Sequence, residues 1–504
     1  LPTNSSRLKG IDRRRGLLTA LLVVVVLGLW AFHWIYLRAD FPNDSPWMDY
    51  SKYTDEGWYG KAAMHALLAG GWRVPGDLNT AVALPVWPAL EWLVFRMAGV
   101  SVLAARGLAL CVFGGNLVLS YWVLKAAGAR RAAAWGGVLL LAASFYMWAF
   151  DRLAILEPLL CFWMLASWLV AMRLAPWRGW RRSVALAAVG VLACLAVLTK
   201  TTAIFLFPAL GLLVCAAAGW RFRQAAADLA LGFAGGLVPW LAYYLLVIRR
   251  FELDFHYFFS ANQWAPPRGL HDHLLAYWWA AHGLLWVGPA LVSAMLVLLG
   301  LGLVLFRDVR RSPLVQAGLL AAAGYIVFIG MHNSPQPRYY MVLAYPVVFV
   351  TMLAVQALGS RWRWPAAFAV AVLVVIGARD VQVTAQFGLH PEYTMLTAAR
   401  GITDYIDAHP EQGNRLLLSI SGDEITLMTH LPAICDDFGT DELPVRIARY
   451  RPGWYAEWNE LDPGTLEDIH TAGYRLQRVA HWHAFDDEDR DDLILYRMLP
   501  AGGR

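Results

Sequence analysis

Charge is scarce in this chain. Only 16% of its 504 residues are Asp, Glu, Lys or Arg, against 59% hydrophobic, and the mean hydropathy is +0.46. That balance excludes an ordinary soluble domain. Cysteine is scarce too: of the five, Cys111, Cys161, Cys194 and Cys215 fall within apolar runs and Cys435 stands alone in an acidic tail. Neither a disulfide framework nor zinc-ligand spacing is present. A glycine-rich nucleotide loop is missing, which argues against an ATP-driven or nucleotide-sugar enzyme. Internal repeats and low-complexity linkers are absent. Lysine is missing from the stretch Asp380 to Arg504, where 22 acidic and 10 basic residues give −12, leaving +17 on the rest from a whole-chain net of +5. The positive charges fall mostly in short connections between apolar runs. This is a topology signal, and no nucleic-acid partner is expected.

What the chain has in quantity is apolar sequence. Segments at roughly 16–37, 101–123, 132–150, 153–172, 183–199, 201–219, 226–247, 282–306, 314–330, 338–357 and 364–380 predict a polytopic α-helical membrane protein with about 11 transmembrane helices. Arg7, Lys9, Arg13, Arg14 and Arg15 precede the first run and mimic a signal peptide. The run ends in bulky Trp34, Ile35 and Tyr36 rather than a small-residue cleavage site, so it reads as a retained first helix. With the N-terminus cytoplasmic, Lys125-Arg130-Arg131, Arg173 to Arg182, Arg221-Arg223, Arg307 to Arg311 and Arg361-Arg363 all fall inside. Arg249-Arg250 is the chief exception. The segments 183–199 and 201–219 are short and touch at Lys200, which suggests broken or tilted helices, or one pair too many in the count.

The expected domains are a transmembrane catalytic domain over 1–380, with large outer loops at 38–100 and 248–281, and a small extracytoplasmic α/β domain over 381–504. In the first loop Trp58 to Leu68 reads as a short amphipathic helix, and Leu84 to Met97 as a segment lying along the interface. In the tail, Leu416 to Ser419 and Leu493 to Arg497 read as strands, Ala398 to Ala408 and Pro463 to Ala472 as helices, and Asp486 to Asp492 as a turn or a solvated face.

Several polar residues sit where the bilayer meets water. Asp55-Glu56, at the start of the amphipathic helix, would stay wet and ionised there, as a general base, a metal ligand or simply a helix cap. Glu157 lies five residues into an apolar run, where an ionised group needs a partner or a hydrated cavity. Arg152 could supply a structural lock. Lys200 breaks the positive-inside pattern and calls for an anion: a lipid phosphate, Glu157 or a head group. Arg338-Tyr339, after the turn His332 to Pro337, has the donors to hold a phosphate, or anchors the interface. In the second loop His256, Asn262, Gln263 and Trp264 form a polar-aromatic set on which a sugar could stack. His271-Asp272-His273 is a weak metal pattern.

These residues carry a resemblance. Asp55-Glu56-Gly57-Trp58-Tyr59, Arg152 to Glu157-Pro158, Lys200 through Phe207-Pro208, and Pro337-Arg338-Tyr339 with Tyr345-Pro346 resemble, in order and topological side, motifs of the GT-C superfamily of polyprenyl-phosphate-dependent glycosyltransferases. The similarity is to the bacterial group that includes the aminoarabinose transferase of lipid A and relatives of the protein O-mannosyltransferases (glycosyltransferase 39-like). It spans roughly residues 16–380.

The resemblance implies a GT-C fold and an inverting glycosyltransferase of a bacterial cytoplasmic membrane. The enzyme would move a sugar from a polyprenyl phosphate, such as undecaprenyl phosphate, to an extracytoplasmic hydroxyl on a lipid, cell-envelope glycan or protein. Asp55 is then the base, with Glu56 in support. Lys200, Arg338, Tyr339 and Arg152 hold the donor phosphate, and Glu157, His332, Trp264, Asn262, Gln263 and His256 contact substrate. The resemblance fixes no cofactor, and a divalent metal on Asp55 or Glu56 is open. Membrane lipids are partners and the chain is expected to act as a monomer. A lipid-linked oligosaccharide ligase or polymerase is the second reading, and a lipid-linked sugar transporter or flippase the third.

Overall fold

The computed structural model describes residues 4–43, 45–47, 52–261, 269–332, 336–459, 461–487 and 489–501. Helices dominate it, because apolar runs in lipid must satisfy their backbone groups within the segment. They are α1 (Asn4–Phe32), α2 (Asp55–Leu68), α3 (Val86–Ala98), α4 (Val102–Ala126), α5 (Arg131–Ala143), α6 (Phe145–Phe150), α7 (Glu157–Met172), α8 (Gly179–Thr199), α9 (Phe207–Ala217), α10 (Phe222–Leu246), α11 (Glu252–Ala261), α12 (Leu270–His282), α13 (Pro289–Leu305), α14 (Arg307–Arg311), α15 (Pro313–Met331), α16 (Met341–Arg361) and α17 (Arg363–Gly388).

Six helical stretches among the described residues are long and apolar enough to cross a membrane: Val102–Ala126, Gly179–Thr199, Phe222–Arg250, Pro313–Met331, Pro337–Arg361 and Arg363–Gly388. The other five predicted segments coincide with shorter apolar helices of 10–17 residues, so eleven full-length crossings are not confirmed. The break at Lys200 has a local cause. Its backbone is extended (φ −152°, ψ 120°), and a tight 3-10 turn, Thr201–Leu206, follows before α9 begins with Pro208 in its first turn. Pro at that position closes the helix start without losing a backbone bond.

α16 lies at the centre, with Tyr345, Phe349 and Val350 buried in the largest apolar cluster. α10 lies at the edge and buries only 6% of its apolar window. It is held to α8 by backbone contact: a Cβ on Gly190 would stand 1.8 Å from the Gly232 carbonyl oxygen and 2.6 Å from Gly236 N. Small residues let two membrane helices approach this closely.

Beyond α17 the chain forms α18 (Thr394–Ala408), β1 (Leu417–Leu418), α19 (Gly422–Thr429), β2 (Ala433–Ile434), α20 (Leu443–Tyr450), β3 (Trp454–Trp458), α21 (Pro463–Thr471), β4 (Tyr474–Asp487) and β5 (Arg490–Pro500). The sheet order is β2-β1-β3-β5-β4. β1 runs parallel to β2 and β3, and β5 runs antiparallel to β3 and β4. α18 packs Met395, Ala399, Ile402 and Ile406 onto Trp454 and Leu495 of the sheet. Of the elements expected in the tail, Leu493 to Arg497 lies within β5 and Ala398 to Ala408 within α18, Pro463 to Ala472 matches α21 to one residue, and Leu416 to Ser419 shortens to the two residues of β1, while the acidic run Asp486 to Asp492 covers the β4–β5 connection and the strand ends on either side of it.

This C-terminal unit sits on the first loop. Gly57 N–H donates to Glu424 Oε2 at 2.9 Å, and a Cβ on Gly57 would stand 2.3 Å from the backbone of Asp423 and Glu424. Lys61 bridges Asp77 (2.7 Å) and Asp423 (3.0 Å), and Arg446 reaches Asp77 at 3.2 Å. The apolar face of α2 meets α3 through Met64 and Trp87, and Leu427 of α19 joins the same cluster.

Candidate active site

Asp55 and Glu56 open α2 and are 4% and 0% exposed. The expectation that they stay wet fails because α4, the α6–α7 connection and α19 of the C-terminal unit close over them. A buried carboxylate needs partners, and the two residues find different ones.

Glu56 accepts from Arg106 Nε (2.9 Å) and Nη2 (2.6 Å) and from Ala154 N–H (2.7 Å). Arg106 also donates through Nη1 to the carbonyls of Leu37 (3.0 Å) and Ala39 (2.5 Å). Glu56 thus ties together the loop after α1, the start of α2, the second turn of α4 and the approach to α7.

Asp55 faces the other way. Its Oδ2 lies 2.7 Å from Arg338 Nη2, and Arg338 Nε lies 3.7 Å from Glu157 Oε1. Glu157 is also paired with Lys200. Lys200 Nζ stands over the Tyr339 ring at 4.3 Å from its centroid. Two acids and two cations from four separate segments form one buried, charge-balanced quartet.

Each member is positioned by its element. Asp55 and Glu157 are both first residues of helices, where the backbone dipole favours a carboxylate. Residues 153–156 are not helical, so Glu157 lies at the entrance of its segment rather than inside the apolar run. Lys200 occupies the break between α8 and the 3-10 turn. Arg338 and Tyr339 lie in a second 3-10 turn, Pro337–Tyr340, which Tyr146 fixes by donating its hydroxyl to the Pro337 carbonyl at 2.7 Å. His332 borders the quartet, edge-on to Tyr339 at 5.3 Å.

Other expected site residues lie elsewhere. The expected Arg152–Glu157 lock does not form: Arg152 Nη2 donates to the carbonyls of Ile35 and Tyr36, while Glu157 takes Lys200 and Arg338. His256 is exposed on α11, next to Phe255. Asn262, Gln263 and Trp264 lie outside the described residues. Among the described residues no group of three or more His, Cys, Asp or Glu could hold a metal. The carboxylates of Asp55 and Glu56 are turned to guanidinium groups, so the pair does not present a metal-ligand set in this arrangement.

Three residues of this region have no role expected from the sequence, although Tyr59 stands in the Asp55 to Tyr59 motif. Arg106 was detectable, since it is the lone charge of the apolar run 101–123, five residues from its start. Tyr59 lies one turn after Asp55, and its phenol is pushed well above its usual range by burial and by the Asp55 charge. Glu424 is separated from Gly57 by 367 positions, and no local signal links them. Burial pushes its carboxyl up, and the neighbouring Glu56 adds to the effect.

Comparison with known proteins agrees with this architecture. Residues 64–259 match the family described as dolichyl-phosphate-mannose-protein mannosyltransferase. No curated protein matches the chain by sequence. Among solved structures, ArnT from Cupriavidus metallidurans bound to undecaprenyl phosphate superposes with a TM-score of 0.65 at 15% identity, covering 95% of this chain and 97% of ArnT. The apo form of ArnT gives 0.64 at 16%, covering 96% and 98%. The Archaeoglobus fulgidus oligosaccharyltransferase, in complex with zinc and sulfate, gives 0.53 at 12%, covering 86% of this chain and 68% of its own. The fold is that of these membrane glycosyltransferases, as the GT-C fold expected from the sequence requires.

Proposed function

We propose that this GT-C-fold glycosyltransferase moves a sugar from a polyprenyl phosphate to a hydroxyl on the outer side of a bacterial cytoplasmic membrane. Residues up to about 380 form the catalytic membrane domain in this reading, and the following unit is extracytoplasmic. The observation that carries it is the buried quartet of Asp55, Glu157, Lys200 and Arg338. Two cations held in place beside two carboxylates suit a reaction that needs both a base and a phosphate leaving group.

In the proposed step the acceptor oxygen bonds to the anomeric carbon and gives its proton to the Asp55 carboxylate. The bond from that carbon to the phosphate oxygen breaks, and its electron pair leaves with the polyprenyl phosphate. Attack from the face opposite the phosphate inverts the anomer. Lys200 and Arg338 hold the charge of the departing phosphate, with Tyr339 beneath Lys200 keeping its ammonium in line. Glu157 holds both cations before the donor arrives, and Glu56 supports Asp55 through the frame it shares with Arg106.

The pairing also sets an order of events. Asp55 is tied to Arg338 in the resting site, so a donor phosphate that draws the guanidinium away frees the carboxylate for the acceptor. The donor would therefore bind first.

The test uses purified protein with a panel of polyprenyl-phosphate sugars and native lipid extract, the product being identified by mass spectrometry. Asp55→Asn is expected to lower turnover by about 10³-fold while leaving donor affinity within a few-fold. Arg338→Ala is expected to weaken polyprenyl phosphate binding by about tenfold or more. Retained turnover in Asp55→Asn would remove Asp55 as the base, and unchanged affinity in Arg338→Ala would remove its phosphate role.

A further inference from the structure

One buried cation stands apart from the quartet. Arg152 is 7% exposed. Its Nη2 donates to the Ile35 carbonyl at 3.0 Å and the Tyr36 carbonyl at 2.7 Å, and its guanidinium carbon lies 4.3 Å from the Trp148 ring centroid. Among the described residues no carboxylate lies within ion-pairing distance of it, and burial with the nearby Arg106 pulls its pKa down to about 9. A buried cation without a counter-charge is costly.

Arg152 lines a cavity of about 310 Å³ that includes none of Asp55, Lys200 and Arg338. Its walls come from the chain after α1, the end of α6, and the junction of α17 with the C-terminal unit. Two acids share the cavity, but their hydrogen bonds go elsewhere. Asp40 accepts from Thr394 N–H (2.5 Å), Thr394 hydroxyl (2.7 Å) and Met395 N–H (3.3 Å), and Glu392 accepts from Asn43 at 3.0 Å.

The membrane side of the same helix carries a second feature. Gly377, Ala378 and Val381 of α17 line an apolar groove of about 920 Å³ with Leu29 of α1 and Leu140 of α5. Val381 precedes Gln386 of the polar cavity by five residues, about 7.5 Å along the helix. A polar pocket with one uncompensated cation thus stands at the head of a groove shaped for hydrocarbon.

We infer that Arg152 binds the phosphate of a membrane lipid whose chain lies in the groove between α1, α5, α16 and α17. This site is separate from the donor phosphate pair, Lys200 and Arg338. It does not depend on the proposed transfer reaction, because lipid binding alone reads it out.

The experiment titrates the full chain, purified in neutral detergent, with dioleoyl phosphatidic acid and counts bound lipid by native mass spectrometry. Dioleoylglycerol, which has the same chains without the phosphate, is expected to bind at least about tenfold more weakly. Arg152→Gln is expected to abolish that preference, Arg152→Lys to restore part of it, and Lys200→Gln to leave it intact. Ala378→Trp fills the groove without touching the cavity and is expected to weaken binding at an unchanged melting temperature. Inorganic phosphate at millimolar concentration should not displace the lipid. Displacement by polyprenyl phosphate in Lys200→Gln would identify a polyprenyl lipid as the occupant of this site. Equal binding of the two dioleoyl lipids, an unchanged preference in Arg152→Gln, or loss of it in Lys200→Gln would each overturn the assignment, as would displacement by inorganic phosphate.

Discussion

Arg106 and Glu56 make an ion pair with almost no contact with water. Removing one partner of such a pair leaves an uncompensated buried charge and costs about 3–5 kcal/mol, whereas replacing both by apolar groups recovers much of that loss. Arg106→Met should therefore lower the melting temperature in detergent more than the double change Arg106→Met with Glu56→Leu, and equal losses would show that the pair contributes no such penalty. Transfer should fall in both, since Glu56 also holds Ala154 N–H and frames Asp55. At the opposite end of α2, His65 offers a pH readout. Burial, helped by the Lys61 charge, lowers its pKa to about 4 from 6.5. The unfolded chain then binds more protons than the native one between those values, so the His65 contribution is fully present above about 6.5 and is lost as pH falls toward 4, on the order of 3 kcal/mol at most. His65→Gln should flatten this part of the melting-temperature profile relative to the parent, and parallel profiles would refute it.

Elements show which parts of the sequence could be read. The apolar segments, the short helix after Asp55 and the break at Lys200 were legible, because hydropathy, a helix start and a charge between two apolar runs are local signals. Glu157 was misplaced in depth, since an apolar run does not disclose that its first four residues are non-helical. The partners of Asp55 and Glu157 were not legible either. The first loop, the start of α7, the end of α8 and the turn before α16 converge only through the helix packing, and sequence spacing does not encode that. The α8–α10 crossing was missed although Gly232, Gly235 and Gly236 lie plainly in the sequence. A methyl group on Gly190 would collide with the Gly232 carbonyl oxygen. Gly190→Ala should thus push α10 off α8, and since α10 has little other burial, its connection should become protease-sensitive. An unchanged digestion pattern would show that α10 is held by something other than this contact.

At the scale of the whole molecule, the C-terminal unit is part of the wall around Asp55. Its α19 lies backbone to backbone against Gly57, two residues from Asp55, and Glu424 takes the Gly57 N–H. One turn further along α2, Lys61 joins the two units through Asp77 and Asp423, and these carboxylates raise its pKa above the ordinary lysine range even though burial opposes the charge. Sequence could suggest a folded tail but not that it seals the site, because the groups that do so are more than 350 residues from their partners. If this contact only tethered the tail, disrupting it would loosen the C-terminal unit and leave transfer intact. If it sets the start of α2, both should change together. Lys61→Met leaves two buried carboxylates facing each other, and Gly57→Ala puts a methyl group into the α19 backbone; neither alters the quartet itself. Both variants are expected to release the C-terminal unit to limited proteolysis and to lower turnover by about tenfold or more, with polyprenyl phosphate affinity falling less because Lys200 and Arg338 are carried by other elements. Proteolytic release with full turnover would show that Asp55 keeps its position without the C-terminal unit.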